Sequence, residues 1–143
     1  MRPALPMNAF DLMPHRPPLL LLDRLLEKSE NAAKAEGTAP EKGIMVDGAG
    51  KILPEYVIEL MAQAMAAIHG YECLEEGKEN QGGFLASLDA FSWHAPALPG
   101  AGLVIDLEKI LVFDAITCFE GRITQGEVLI AQGAVKVWEA VES

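Results

Sequence analysis

Cysteine is nearly absent from this chain. Cys73 and Cys118 are the only two, and no Cys-x-x-Cys pair occurs. With no secretory context either, both are expected to be reduced core thiols in a cytoplasmic protein. Histidine is almost as scarce: His15, His69 and His94 are scattered without ligand spacing, so no metal site is expected. Basic residues are in deficit, 11 against 21 acids, for a formal net charge of −10. That balance excludes nucleic acid as the main partner, because phosphate contacts need basic patches. Long hydrophobic runs are missing too. The aliphatic run Leu19–Leu22 is far too short to span a bilayer, and the first ten residues lack the apolar core of a signal peptide. No charge run exceeds Glu75-Glu76, so the acidity is dispersed and solvated. No repeat or low-complexity linker divides the chain.

What remains is a chain of 143 residues, half of them hydrophobic, enough for one globular domain with a real core. Its most informative stretch runs from Leu53 to Tyr71 and reads as a helix of about five turns, apolar nearly all round. Such a helix is buried rather than amphipathic. Past Glu55 at its start, it carries one acid, Glu59, set among Ile58, Leu60 and Met61. Desolvating an acid is costly, and burial favours its protonated form, which suits a general acid near neutral pH. The plainer reading is that Glu59 lies on a narrow wet seam and solubilises the helix.

Proline and glycine punctuate the rest. Asn8 is placed to cap a short helical turn through Leu12, after which Pro14, Pro17 and Pro18 forbid helix. Leu19–Glu30 and Ala32–Thr38 read as strands, and the glycine-rich Glu41–Lys51 as a loop. Pro54 suits a first helical turn, Glu55 complements the positive end of the dipole, and Gly70 and Gly77 are candidate stops. Gly77–Gly83 would be the exit loop. Four strands follow from Phe84, broken at Pro96–Gly102, Phe113–Ala115 and the hairpin turn Thr124–Glu127. Two strands, a buried helix and four strands fit an α+β fold, a curved antiparallel sheet wrapped around one long helix. A sheet of that kind leaves one face poorly covered, which predicts dimerisation.

Two motifs sharpen this reading. Met13-Pro-His-Arg-Pro-Pro-Leu-Leu-Leu-Leu-Asp-Arg24 resembles the opening segment of the hot-dog fold 3-hydroxyacyl-[acyl-carrier-protein] dehydratases. Ile58-Glu-Leu-Met-Ala-Gln-Ala64 resembles their central helix, whose Glu is catalytic, and Pro96-Ala-Leu-Pro-Gly100 a turn before their last three strands. The resemblance spans roughly residues 11 to 139. It implies a hot-dog domain, an acyl-carrier-protein or coenzyme A thioester substrate, no cofactor, and a homodimer or a heterodimer with another hot-dog subunit. One feature departs from the family, which places a histidine in a Gly-His-Phe loop before the central helix. Here that loop reads Gly43-Ile-Met-Val-Asp-Gly-Ala-Gly50. The chain therefore looks closer to a divergent branch acting on polyene-type acyl chains.

Dehydrating a 3-hydroxyacyl thioester needs a base for the proton beside the carbonyl, an acid for the departing hydroxyl and a donor for the thioester oxygen. The resemblance makes Glu59 the acid and His15 the candidate base; bracing its loop is the alternative for His15. The helix N-terminus at Pro54, Glu55 and Tyr56 is the candidate donor. Gln63 lies one turn beyond Glu59 on the same face and is expected to bond the acid or a neighbouring backbone group, or simply to pack. Arg16 and Arg24 are candidates for an anionic phosphopantetheine or carrier surface, against plain solubility. His94 is expected on the rim near the Pro-Gly turn, and His69 as a helix cap. A thioesterase using Glu59 to activate water, and a non-catalytic subunit completing a partner's site, are the competing functions.

Overall fold

A computed structural model describes residues 3–78 and 84–139. Seven strands form one antiparallel sheet: β1 (Met7–Asn8), β2 (Leu22–Lys28), β3 (Ala32–Thr38), β4 (Phe84–Trp93), β5 (Gly102–Phe113), β6 (Ile116–Gln125) and β7 (Val128–Glu139). A single long helix, α1 (Glu55–Glu76), separates β3 from β4 and packs on β2, β3 and β6. The sheet order is β1-β2-β3-β5-β6-β7-β4, so β4 pairs with β7 alone and leaves its other edge open among the described residues.

The sheet accepts a bulky helix because its inner face is cut away with small residues. Ala33, Ala35 and Gly37 point inward along β3 while Lys34 and Glu36 alternate outward. A Cβ on Gly37 would lie 3.0 Å from a methyl of Leu60, and one on Gly121 of β6 would lie 2.7 Å from the sulfur of Met61. Leu60 and Met61 are fully buried in the space those glycines leave. Leu103, Ile105, Leu107, Phe119, Ile123 and Val135 close the core around them.

The helix runs five residues beyond the expected Tyr71. Gly77 stops it, in a left-handed conformation with its amide turned back to the last carbonyls. Gly70 is not a stop. It lies beneath the carbonyl of Leu12, where a Cβ would come within 1.8 Å. His69 consequently stands inside the helix rather than capping it, its Nε2 3.7 Å from the sulfur of Cys73. The exit loop beyond Lys78 falls outside the described residues.

Leu19–Leu21 precede the strand they were expected to start, because the amides of Leu19 and Leu20 bond back to the Arg16 carbonyl in a tight turn. Upstream, the turn after Asn8 is a short 3-10 turn, Ala9–Asp11, with no side-chain cap from Asn8.

Candidate active site

Glu59 lies one turn into α1, half-buried beside the buried Leu60 and Met61. Gln63, one turn further and 1% exposed, donates from Nε2 to Glu59 Oε1 at 3.1 Å. The rest of the Gln63 amide reads backbone. Its Oε1 accepts from the amides of Leu21 (2.8 Å) and Leu22 (3.1 Å), and Nε2 also donates to the Leu19 carbonyl at 2.8 Å. An amide has two donor and two acceptor positions, and all four are used.

The backbone held in this way belongs to a strap, residues 12–22, that runs along the helix from Gly70 to Gln63. Arg16 stiffens it. Its Nη1 donates to the carbonyls of Phe10 (3.2 Å), Met13 (2.9 Å) and His15 (2.8 Å), and its guanidinium stacks 3.8 Å from the centre of the Phe10 ring. Arg24, the other candidate cation, pairs with Glu36 across β2 and β3. His15 sits on the strap, half-buried, with Nδ1 buried and without a hydrogen-bond partner. Buried ring nitrogens are rarely left so, and such orphans mark functional positions or sites that another group completes.

At the helix N-terminus the amides of Tyr56 and Val57 close onto the carbonyls of Leu53 and Pro54, which leaves Glu55, one turn before Glu59, at the open end. Two contacts absent from the sequence reading hold this end in place. Trp93, the last residue of β4, donates from Nε1 to the Pro54 carbonyl at 3.1 Å. Tyr56, fully buried, donates its hydroxyl to the Thr38 carbonyl at 3.3 Å. Burial, and to a lesser degree the charge of Asp23, push the Tyr56 phenol well above its ordinary value, so it remains a donor.

The segment that lacks a histidine is a closed hairpin rather than an open loop. Val46 bridges Ile52, Leu53 donates to the Met45 carbonyl, and the Asp47 carboxylate accepts from the amides of Ala49 and Lys51, both at 2.9 Å. Those amides hold the Asp47 carboxyl below its usual value. His94 lies exposed just beyond the end of β4, its Nε2 3.0 Å from Ser92 Oγ.

The ApeP-like family, ApeP dehydratase, matches residues 7–143. The chain belongs to the ApeP-like dehydratase family. Among curated relatives it is similar to the 3-hydroxyacyl-[acyl-carrier-protein] dehydratase FabZ of Wolinella succinogenes, 29% identical over 138 residues covering 91% of each chain. FabZ of Vibrio vulnificus is 29% identical over 116 residues, 78% of this chain and 77% of that one. Among solved structures, the dehydratase heterocomplex ApeI:P from Xenorhabdus doucetiae superposes with a TM-score of 0.82 at 22% identity, covering 98% of this chain and 94% of that one. The PaaI protein of E. coli gives 0.62 at 16% identity, covering 80% and 81%. The hot-dog fold expected from the two motifs is therefore the fold of this ApeP-like chain.

Among the described residues no group of three or more His, Cys, Asp or Glu is arranged to hold a metal ion. No helix among the described residues is long and apolar enough to cross a membrane. Chemically, the arrangement offers a carboxyl with a fixed donor on one oxygen, a helix N-terminus one turn away, and an imidazole on a braced strap.

Proposed function

We propose that this ApeP-like chain dehydrates a 3-hydroxyacyl thioester carried on an acyl-carrier protein, in the assembly of fatty or polyene-type acyl chains in the cytoplasm. Glu59 delivers a proton to the C3 hydroxyl, which leaves as water. A base removes the C2 proton, and the electron pair closes the conjugated double bond of the 2-enoyl thioester. His15 is the candidate base, and the Glu55 amide at the open helix end, beside Pro54, polarises the thioester oxygen. One observation carries this reading: the Glu59 carboxyl is half-buried and held by an immobile amide one turn from a helix N-terminus. A carboxyl that merely solubilised the helix would not need a fully saturated buried glutamine beside it.

The open edge of β4 supports a dimer, because a long unpaired strand edge is a ready template for another chain. The closed hairpin at residues 45–53, standing where the family keeps a histidine, favours a second reading. In that reading this chain pairs with a different hot-dog subunit that supplies the base.

Absorbance of the conjugated enoyl thioester, followed beside a thiol trap, tests both. Turnover that Glu59→Gln and His15→Ala each reduce by about 10²–10⁴ fits the first reading. Turnover gained only on mixing with a second hot-dog subunit fits the second. If His15→Ala is fully active, His15 braces the strap. If Glu59→Gln is fully active, or free thiol is released instead of enoyl product, the dehydratase assignment of Glu59 is wrong.

A further inference from the structure

We propose that Gln63 is a positioning residue whose amide, locked by the strap backbone, always offers N–H to Glu59 Oε1, so that Oε2 carries the transferred proton. This rests on the reading of Glu59 as the acid and adds which oxygen acts and what selects it.

A glutamine beside a carboxyl can ordinarily turn over, presenting N–H to a carboxylate and oxygen to a protonated acid. Here it cannot. Turning the amide would set its NH₂ against the Leu21 and Leu22 amides and its oxygen against the Leu19 carbonyl, so three backbone bonds would become three clashes of like groups. At 1% exposure no solvent compensates for them. The orientation is thus fixed by the main chain and is independent of the state of Glu59. Oε1 accepts from Nε2 in both states, and the neutral acid keeps its proton on Oε2. No ion pair to Glu59 occurs among the described residues, so no cation competes for this role.

Gln63→Glu tests the idea. It preserves the shape and an acceptor for Leu21 and Leu22, but loses the donor and sets a second carboxyl against Glu59. Glu59 then stays protonated to higher pH, since a lost donor and a like charge both disfavour its ionised form. The expected result is a fall in kcat of roughly 10²-fold from misplacement of the acid, with KM nearly unchanged. The limb on which activity is lost as pH rises should move up by roughly one unit. A purely structural glutamine would lower stability and leave kcat near the wild-type value in folded protein, and such a result overturns the proposal. Titration of the Glu59 carboxyl by ¹³C NMR, assigned with Glu59→Gln, needs no turnover. A midpoint that rises in Gln63→Glu while the wild type is inactive sinks the dehydratase reading and keeps Gln63 as the positioning group. An unmoved midpoint in an active enzyme sinks the proposal.

If Gln63→Glu does not fold, the wild type decides alone. One Gln63 side-chain proton should shift with the Glu59 titration while the Leu21 and Leu22 amides stay bonded across it. Exchange-labile Leu21 and Leu22 amides, or loss of their bonds as Glu59 titrates, would mean that the amide turns and the proposal is wrong.

Discussion

Gly70→Ala sets two effects of opposite sign against each other and so measures how firmly the strap is seated. By helix propensity alone, alanine inside α1 should stabilise the protein by about 1 kcal/mol over glycine. The strap reverses that. An alanine Cβ would lie 1.8 Å from the Leu12 carbonyl oxygen, 2.8 Å from its carbon and 3.2 Å from its Cα. These are main-chain atoms that no side-chain rotation can move aside, so the strap must retreat by roughly 1.5 Å to reach ordinary contact. Overpacking of this kind costs about 1–3 kcal/mol, and Leu12 and Met13, 2% and 4% exposed, would lose burial as the strap lifts. The net expectation is destabilisation of about 1–2 kcal/mol, a fall in Tm of about 3–6 °C. Urea denaturation followed by circular dichroism reads the sign directly, and hydrogen exchange should show the loss concentrated at residues 9–13. Turnover should drop with it, because His15 rides on the same strap. A Gly70→Ala protein as stable as the wild type, or more so, would refute the close seating.

Gln125→Leu should destabilise by about 1–3 kcal/mol in urea unfolding, because the buried Gln125 amide accepts from the Leu98 amide (2.7 Å) and donates to the carbonyls of Leu98 (2.9 Å) and Ala101 (3.3 Å); an unchanged midpoint would mean that solvent satisfies those groups. Asp47→Ala should quicken hydrogen exchange at Ala49 and Lys51 with little effect on global unfolding, since the carboxylate is exposed and local. The pH dependence has a definite sign. The Asp47 value is depressed below 3.8, so the tethering is complete above that pH and fades as pH falls through the lower, folded value. Loss of protection already near neutral pH would contradict it.

The sheet and helix were legible because periodicity reports burial directly. Ala32–Thr38 was read to the residue, and the hairpin at Gly126 followed from glycine in a left-handed turn, φ 62°. Errors gathered where a residue's meaning depends on a distant segment. Gly70 looks like a helix stop in sequence, and only the crossing of Leu12 shows that a side chain is forbidden there. Of the two candidate stops, Gly77 is the real one, and the three glutamates of Glu72–Glu76 made the last turn look unlike the apolar helix before it. Leu19–Leu21 have the composition of a strand but are held off the sheet by a turn and by Gln63. At the candidate site, the contact of Gln63 with Glu59 was legible from their spacing of one helical turn. Trp93 was not, since its hydrogen bond spans 39 residues and no local pattern encodes it.

The two motifs that revealed the family are far apart in the chain, yet in the structure they form one unit. Gln63 belongs to the helix motif with Glu59, and three of its four bonds go to the backbone of Leu19, Leu21 and Leu22 in the opening motif. What the helix reads is main chain, not side chain. This explains how a strap can be both apolar and exacting: Leu19 is 59% exposed and contributes little burial, but its carbonyl must stand where Nε2 expects it. Proline at 17 and 18 and the three carbonyls gathered by Arg16 restrict the strap before Gln63 meets it, so little ordering remains for those bonds to impose. The carboxyl of Glu59 is thereby referenced to the same rigid segment that carries His15. Through Gln63 the position of Glu59 is tied to the backbone of Leu19, Leu21 and Leu22, so a displacement of the strap at any of these residues is felt at that carboxyl as well as at His15.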